Sequence, residues 1–297
     1  MDQFIDLHLH STCSDGALSP AEVVRRSVAA GLKAIALTDH DNTDGIDALR
    51  TAGAEQGLEI LSGVELSVVW RHWQDIHLLG YGFDHRHSAL VAALTEFQLF
   101  RQYRNQQIVE RVNDKLAEEN QPPLDFNRVL ELAGGTIGRP HIAMALHEAG
   151  IVKSTEEAFQ RYLIACNVPK RFFQVSEAID LIHAAGGVAV LAHPPFITRE
   201  REEFRALLDE LVALGLDGVE VYNSGASRSG SDWYLTEARR RDLIVTGGSD
   251  FHGLPGEKHE IGRGGGQRIP YACVAEIRQR AERYAVSRRP KGVQAGS

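Results

Sequence analysis

The sequence has few of the features that mark membrane or secreted proteins. It contains no apolar run of the roughly 20 residues that a helix needs to span a bilayer. Its first residues lack the basic start and apolar core of a signal peptide. The cysteines, Cys13, Cys166 and Cys273, are odd in number and form no C-x-x-C pair, which argues against a disulfide framework. We therefore expect reduced thiols, a cytoplasmic location and no membrane partner.

Positive charge is also scarce. The chain carries 32 Lys and Arg against 40 Asp and Glu, a formal net charge of −8. Broad binding to a nucleic-acid backbone requires basic patches, so this balance argues against it. The length of 297 residues and the apolar content of 43% suit one large domain, or a large domain that carries a smaller one. No segment indicates an obligate protein partner.

Two histidines near the N-terminus lie in a short run that is typical of a β-strand. Residues two apart in a strand share a face, so His8 and His10 point to one side and the apolar Ile5, Leu7 and Leu9 to the other. Two histidines at this spacing can bind one metal ion. Asp15 follows in a turn marked by glycine and can bring a carboxylate to the same place. His-x-His alone is a weak signal, so its weight depends on similar residues elsewhere.

Apolar strands alternate with helical segments on both sides of a central interruption. After the first strand, strands are predicted at 34–38, 60–64, 76–81, 187–192, 218–222 and 244–247. This alternation predicts βα units with parallel strands, and hence an α/β fold. The chemistry of α/β barrels lies at the C-terminal ends of the strands. Almost every predicted strand here ends in His, Asp or Glu.

The interruption, residues 85–170, reads as helices. Apolar residues at helical spacing predict one long helix or a helix pair over 88–119, and shorter helices at 126–133, 140–149 and 155–166. We predict a helical insertion with its own small core that grows from the loop after the 76–81 strand. The barrel would then comprise 1–84 and 171–287, and 288–297 would form a flexible tail.

Nine residues at or near the strand ends are candidate metal ligands. A lone His at a strand end is usually structural, but nine ligand-type residues at successive ends are unlike a chance pattern. They are His8, His10, Asp15, His40, Glu65, His77, His193, Asp250 and His252. A mixed set of imidazoles and carboxylates without thiolates suits Mn, Fe or Zn. Nine ligands are too many for one ion and suit two or three, which would give the pocket a local positive charge that attracts phosphate.

Six motifs that carry these residues resemble the PHP (polymerase and histidinol phosphatase) family. In chain order they are D-L-H-L-H-S-x-x-S-D-G, L-T-D-H-D, G-V-E, H-L-L-G-Y, A-H-P and G-S-D-x-H. The resemblance covers the chain apart from the insertion and the tail. It implies a distorted (β/α)7 barrel with a multinuclear metal centre that hydrolyses phosphate esters.

The resemblance also implies how the ligands are shared. One ion would be held by His8, His10, Glu65 and Asp250. Glu65 would bridge to a second ion bound by His77 and His193. A third would be held by Asp15, His40 and His252. Mn is the expected metal, with Zn or Fe as alternatives. His193 or His40 could assist proton transfer as catalytic groups, although metal ligation would occupy both.

The insertion is similar to that of one subgroup of the family, on the strength of residues 137–143 and 168–171. That subgroup implies removal of the 3′-phosphate from nucleoside 3′,5′-bisphosphates such as adenosine 3′,5′-bisphosphate, and in some members 5′-to-3′ trimming of RNA or oligonucleotides. The partner would be a nucleotide or an RNA 5′ end. We expect the substrate's second phosphate to be held by a helix N-terminus and basic side chains. The substrate-binding candidates are Arg139, His141, Lys170, Arg171 and Asn223.

Three alternatives remain open at this point. Hydrolysis of a small phosphomonoester such as histidinol phosphate would use the same metals but would not need the insertion. A non-catalytic metal-binding module would not need the complete ligand set. Hydrolysis of a C–N bond by a barrel amidohydrolase uses similar ligand types, so the residues alone do not separate it from phosphate-ester hydrolysis.

Overall fold

Short, fully buried apolar runs form the inner strands of the protein. The computed structural model describes residues 3–133 and 135–287. Its strands are β1 (Phe4–Leu9), β2 (Ala34–Leu37), β3 (Glu59–Trp70), β4 (Trp73–Tyr81), β5 (Phe173–Gln174), β6 (Val188–Leu191), β7 (Gly218–Tyr222), β8 (Ile244–Gly247), β9 (Arg263–Gly264) and β10 (Gln267–Pro270). All four residues of β2 and all four of β6 are buried, as expected of strands that are covered on both faces.

Helices cover this sheet and form the insertion. They are α1 (Pro20–Ala29), α2 (Ile46–Gln56), α3 (Ser88–Glu118), α4 (Phe126–Ala133), α5 (Arg139–Glu148), α6 (Thr155–Ala158), α7 (Val175–Ala184), α8 (Arg201–Ala213), α9 (Arg228–Arg240) and α10 (Ala272–Ser287). A π-helical turn, Phe159–Leu163, continues α6, and a 3-10 turn, Pro194–Phe196, follows β6. Helix α1 begins as its sequence predicts, because the Ser19 hydroxyl accepts a hydrogen bond from the Glu22 N–H and Pro20 is the first helical residue.

The sheet is a nearly closed, distorted barrel. Its strand order is β8-β7-β6-β4-β3-β2-β1, and β10 and β9 extend it beyond β1. The segment after β8 returns to β1, since the Asp250 N–H donates to the His8 carbonyl at 2.9 Å and the His10 N–H donates to the Phe251 carbonyl at 3.0 Å. The predicted α/β fold, a distorted barrel surrounded by helices, is confirmed.

One part of the predicted topology is wrong. Strand β4 does not run parallel to its neighbours, because it pairs antiparallel with both β3 and β6. Strand β3 extends to Trp70 and β4 begins at Trp73, so only two residues connect them. A parallel crossover needs a dozen or more residues, whereas two suffice for a hairpin. Arg71, with φ of 51°, makes the tight turn. As a result Glu65 lies in the middle of a strand rather than at its end.

The insertion and the barrel share one long helix. The predicted helix over 88–119 is a single α3, of which Leu90, Leu94 and Phe97 belong to the barrel core. Further along α3, Ile108 and Val112 belong to a separate cluster with α4, α5 and the π-helical turn. The predicted independent core of the insertion therefore begins only halfway along α3. The predicted tail, 288–297, lies outside the described residues. None of the helices in the described part combines the length and hydropathy needed to cross a bilayer.

We predict that Phe97 anchors the insertion to the barrel. Its ring is 1% exposed and stacks on Phe173 of β5 with centroids 4.6 Å apart. Phe97→Ala should lower the free energy of unfolding by about 3–5 kcal/mol, the usual cost of removing a buried phenyl ring. Leu99→Ala is the matched control, because Leu99 lies on the same helix and is 61% exposed. Its change should stay within about 0.5 kcal/mol. The free energies of unfolding are measured by urea denaturation. Equal losses in the two variants would contradict the proposed role of Phe97 as the anchor.

Candidate metal centre

Strand β1 brings two histidines into the barrel. Its side chains alternate, so Ile5, Leu7 and Leu9 enter the apolar core while His8 and His10 face the interior of the site. Both imidazoles are fully buried. Their ring centroids are 5.2 Å apart, close enough for both rings to contribute to one site.

The structure brings eight of the nine predicted ligands into three overlapping groups, whose ligand atoms lie within 4.8 Å of one another in each group. The groups are His8, His10, Glu65 and Asp250; His10, Asp15, His40 and His252; and His40, Glu65 and His77. The ninth residue, His193, lies beside the last group, with its Nε2 at 3.2 Å from the His77 Nδ1. The ligands that the resemblance implies for each ion therefore lie together. In addition, His10 and His40 each belong to two groups, which the resemblance does not imply.

Glu65 is at the centre of the cluster. Its Oε2 lies 3.3 Å from the Nε2 atoms of His8 and His10 and 3.2 Å from the Nδ1 of His40. Its Oε1 lies 2.8 Å from the Nδ1 of His77 and 3.1 Å from the Nε2 of His193. Five imidazoles thus surround one carboxylate that is 1% exposed. Since each oxygen faces a different set of rings, this carboxylate is placed to bridge two cations.

Asp15 closes the cluster on the solvent side. Its Oδ1 lies 3.5 Å from His10 Nδ1 and 3.4 Å from His252 Nε2, and its Oδ2 lies 3.6 Å from His40 Nε2. The rings of His10 and His252 stack with centroids 4.1 Å apart. This part of the cluster is the more accessible, because the Asp15 side chain is 35% exposed.

The residues fit divalent ions by a test that is independent of their order in the sequence. Several buried nitrogen and oxygen atoms of the cluster have no hydrogen-bond partner among the described residues. They are His8 Nε2, both ring nitrogens of His10, His40 Nδ1, Glu65 Oε2 and His193 Nδ1. Leaving a buried polar atom unpaired costs roughly 1–3 kcal/mol. Cations would satisfy these atoms, and a set of imidazoles and carboxylates suits Mn, Fe or Zn.

The charges of the cluster are strongly coupled. Burial would raise the pKa of Glu65, but His40, His77 and His8 hold that pKa well below its usual range. Burial would lower the pKa of His10, but Asp250 and Glu65 outweigh it and raise the pKa to about 10. For His40, burial dominates and lowers the pKa to about 4. The carboxylates therefore stay ionised and attract positive charge, whether protons or metal ions supply it.

Glu220 is a functional residue that the sequence reasoning missed. It lies in β7, is fully buried, and its Oε1 is 2.9 Å from the Nδ1 of His8. Its Oε2 accepts a hydrogen bond from the His193 backbone N–H at 2.7 Å. This arrangement directs the His8 Nε2 toward the cluster and fixes the backbone that carries His193. Carboxylates behind ligating histidines raise their basicity and set their tautomer. The available signal was a lone charged residue inside the apolar strand G-V-E-V-Y.

Two further buried aspartates hold the ligand-bearing loops. Asp6 accepts hydrogen bonds from the backbone N–H groups of His8, Ser249 and Gly262, which ties β1 to the loops after β8. Burial raises the pKa of Asp6 to about 6 against the effect of these hydrogen bonds. Asp39 accepts from the N–H and hydroxyl of Ser11 and so fixes the loop that leads to Asp15. Asp6 lies within β1 and Asp39 follows β2, and both belong to the quoted motifs, yet they hold the backbone around candidate ligands and belong to none of the three ligand groups.

A cleft opens from the cluster toward the insertion. Its walls include Asp15, His40 and His77 from the cluster and the predicted substrate residues Arg139, His141 and Lys170. Helix α5 begins at Arg139, so Pro140 is its second residue rather than the predicted first. His141 Nδ1 accepts a hydrogen bond from the Gly138 N–H at 3.0 Å, which closes the helix start. Burial lowers the pKa of His141.

The other two predicted substrate residues lie away from this cleft. Arg171 pairs with Glu96 at 2.7 Å on the surface. Asn223 is fully buried, and its amide donates to the Glu220 carbonyl and accepts from the Gly225 N–H. Both side chains are therefore occupied in local contacts, and neither lines this cleft. Their expected contact with the substrate stays a prediction.

Two arginines of α3, which were not among the residues selected from the sequence, also line this cleft. Arg101 donates to the Asp41 carboxylate at 2.5 Å, and Arg104 donates to the Val168 carbonyl at 2.8 Å. The sequence did not reveal them as substrate-binding candidates, because charged residues on a long helix usually face solvent. Both side chains line the same cleft as Asp15, His40 and His77.

Comparisons with known proteins agree with this geometry. A family model described as the PHP domain matches residues 6–212. The chain belongs to the PHP domain family. The 5′-3′ exoribonuclease of Haemophilus influenzae is 37% identical to this PHP chain over 255 residues, which are 85% of this chain and 91% of that protein. The 3′,5′-nucleoside bisphosphate phosphatase of Chromobacterium violaceum is 35% identical over 261 residues, or 85% of this chain and 88% of that protein.

A solved structure supports the same assignment. A candidate metal-dependent phosphoesterase of Bifidobacterium adolescentis matches with a TM-score of 0.79 and 32% identity, covering 94% of this PHP chain and 96% of that chain. The sequence prediction of a PHP enzyme of the phosphoesterase class is confirmed. The roles of individual site residues and the identity of the metal stay predictions.

We predict that Glu220 raises the metal affinity of this PHP chain. Glu220→Gln keeps the size of the side chain but removes the charge behind His8, so metal affinity should fall about 10- to 100-fold. Titration against a competing chelator measures this directly, without reference to activity. Glu202→Gln is the control, since Glu202 is 86% exposed and pairs only with Arg205 among the described residues. An unchanged affinity in Glu220→Gln would show that this carboxylate serves the fold alone.

Proposed function

We propose that the protein is a metal-dependent phosphoesterase that removes the 3′-phosphate from nucleoside 3′,5′-bisphosphates, converting adenosine 3′,5′-bisphosphate to AMP and phosphate. The observation that carries this proposal is the shared cleft, which is lined both by the candidate metal ligands Asp15, His40 and His77 and by Arg101, Arg104 and Arg139. A substrate with two phosphates on one small scaffold matches these two sets of side chains. The names of the two curated relatives are consistent with it.

The cluster would hold two or three divalent ions, with Mn the metal we favour and Zn or Fe as alternatives. Such ions lower the pKa of water and neutralise the nonbridging oxygens of a phosphate ester. His8, His10, Glu65 and Asp250 would hold one. Glu65, His77 and His193, together with His40, would hold the second, and Asp15, His40 and His252, together with His10, the third. His193 and His40 both face Glu65, so we assign them to ligation before proton transfer.

The 5′-phosphate would be held by the start of α5. Helix N-termini favour anions because their first N–H groups have no partner within the helix. Arg139 is the first residue of α5, and its guanidinium lies 5.6 Å from the centre of the Phe159 ring, which keeps the side chain at the edge of the cleft. A guanidinium presents two N–H groups that match phosphate oxygens. Lys170 adds positive charge to the same cleft.

The same arrangement suits trimming of RNA or short oligonucleotides from the 5′ end. A 5′-phosphorylated RNA presents the same terminal nucleoside with a 5′-phosphate and a 3′-phosphate. The only difference is that the 3′-phosphate is esterified to the next nucleotide. Both substrates would therefore use the α5 start for the 5′-phosphate and the cluster for the 3′-phosphorus.

The alternatives weighed above fit the cleft less well. A small phosphomonoester such as histidinol phosphate would leave the basic wall of the insertion without a ligand. A non-catalytic module would not need a cleft that opens from the cluster to that wall. Hydrolysis of a C–N bond would give Arg139 no substrate phosphate to bind. A cytoplasmic location, with a nucleotide as the partner, remains our expectation.

We predict that Arg139→Ala impairs binding of the 5′-phosphate without impairing hydrolysis at the metal centre. It should lower kcat/KM for adenosine 3′,5′-bisphosphate by roughly 2–4 kcal/mol, which is about 30- to 900-fold, because a charged contact to the 5′-phosphate is lost. Hydrolysis of a simple aryl phosphate, which lacks the second anchor, should change little. Phosphate release on both substrates measures this.

The matched control is Arg171→Ala, which removes a nearby guanidinium that pairs with Glu96 outside the cleft. It should leave both rates unchanged. Equal losses on both substrates in Arg139→Ala would assign Arg139 to the fold or to the reacting phosphate. A wild-type enzyme that prefers mononucleotides to bisphosphates would refute the two-phosphate proposal.

A further inference from the structure

An exposed aromatic ring stands next to the metal cluster on the side away from the insertion. Phe196 is 61% exposed and ends the 3-10 turn Pro194–Phe196, directly after His193. Its ring centroid is 5.4 Å from that of His193, and the two rings meet edge to face. Two prolines and a hydrogen bond from the Phe196 N–H to the His193 carbonyl make the turn rigid. The ring is therefore held in place beside a metal ligand while most of it stays open to solvent.

A pocket lies next to this ring. It has a volume of about 750 Å³ and is formed by the turn after β7, the loop after β8 and the β9–β10 loop. Gly225 joins the pocket to Phe196, since a Cβ at this glycine would lie 3.1 Å from the Phe196 Cζ. Asn223 fixes the backbone at this point, because its amide oxygen accepts a hydrogen bond from the Gly225 N–H. The pocket is large enough for one nucleotide, since small-molecule sites range over about 300–1,000 Å³.

The pocket lies beside the loop that carries the predicted ligand Asp250. Ser249, which lines it, directly precedes the predicted ligand Asp250. His259, also in its wall, has its Nδ1 at 2.9 Å from the Asp250 carbonyl oxygen. The insertion cleft, by contrast, is lined by residues that follow β1 and β2 and by residues of β3 and β4. The cleft and the pocket thus share no lining residue.

The polar groups of the pocket suit a sugar-phosphate chain. The hydroxyl oxygen of Ser224 is buried and has no hydrogen-bond partner among the described residues. Lys258 lies in the wall and forms no ion pair within the described part of the chain. Arg263 is paired with Glu260 at 3.1 Å on the surface, so Lys258 supplies the uncompensated positive charge. An aromatic face beside a cationic groove is the usual platform for single-stranded nucleic acid.

We propose that Phe196 and this pocket form a subsite for the nucleotide that follows the cleaved phosphate in a single-stranded oligonucleotide. The base would stack on Phe196, and its sugar-phosphate would enter the pocket toward Lys258. This inference rests on the proposed function, because it takes the 3′-phosphorus of the first nucleotide to lie at the cluster. It adds to the trimming proposed above a binding site for the second nucleotide of the chain.

The chemistry is the same for both substrates. Water adds to the 3′-phosphorus, the bond from phosphorus to the 3′-oxygen of the first nucleoside breaks, and that oxygen takes a proton. A free bisphosphate gives inorganic phosphate and a nucleoside 5′-phosphate. A chain gives the same nucleoside 5′-phosphate and leaves the phosphate on the 5′-oxygen of the next nucleotide. The shortened chain again carries a 5′-phosphate, so the subsite would hold the next unit to be presented.

The test compares kcat/KM of metal-loaded enzyme on adenosine 3′,5′-bisphosphate with that on a 5′-phosphorylated RNA tetranucleotide. Phe196→Ala should reduce the value for the tetranucleotide by about 10-fold or more, the effect of losing one stacked base. The value for the bisphosphate should change less than about twofold. Phe196→Trp should retain activity on the tetranucleotide, whereas Phe196→Leu, which keeps an apolar side chain but no aromatic face, should not.

Charge is tested in the same way. Lys258→Ala should lower kcat/KM for the tetranucleotide but not for the bisphosphate, and it should reduce the salt dependence of the KM for the tetranucleotide. Lys153→Ala, a substitution on the insertion, is the control and should have neither effect. If Phe196→Ala lowers kcat/KM equally for both substrates, or leaves it unchanged for the tetranucleotide, the proposal of a subsite is overturned. So would a wild-type enzyme that hydrolyses the bisphosphate but not the RNA, a result that leaves the proposed function standing. Inactivity on both substrates would instead overturn the proposed function itself.

Discussion

The buried carboxylate of Glu65 is the constraint on which the rest of the site depends. It is 1% exposed, and five imidazoles from four segments of the chain converge on it. Such a group is costly to bury unless positive charge compensates it. Protons on the histidines can do so in part, but several ring nitrogens would still lack partners. Divalent cations satisfy the carboxylate and the unpaired nitrogens together, which is why the arrangement suits a multinuclear centre.

The barrel provides this convergence by joining strands of both directions. Strand β1 brings two ligands from one face, and the β3–β4 hairpin brings Glu65 and His77 from strand interiors. Fixed acids behind them, Glu220 and Asp39, use their carboxylates to hold ligands and loops in place. The insertion then supplies the basic wall that the barrel lacks, because the first half of α3 is packed into the barrel core. The candidate metal ligands and the proposed substrate-binding residues of the insertion thus lie in different parts of the chain, which α3 joins.

Much of this could be predicted from the sequence, because alternation and strand-end acids are local signals. The pattern D-L-H-L-H showed which face of β1 carries ligands, and Ser19-Pro20 located the start of α1. The direction of β4 could not be predicted, since it depends on β3 extending to Trp70 and leaving only a two-residue turn. Glu220 was missed because a single acid in an apolar strand has no local partner to reveal it. The local contacts of Asn223 could not be predicted, because a strand-end amide can hydrogen-bond its own turn as readily as a ligand.

The central claim is that Glu65 is shared between divalent cations. The most direct test is a crystal structure of the protein loaded with Mn, with anomalous scattering recorded to locate the metal. Our account predicts two or three anomalous peaks within the cluster, with one Glu65 oxygen bound to the ion that His8, His10 and Asp250 also bind, and the other bound to the ion beside His77 and His193. The absence of peaks in the cluster, or a single ion that Glu65 does not bind, would contradict it.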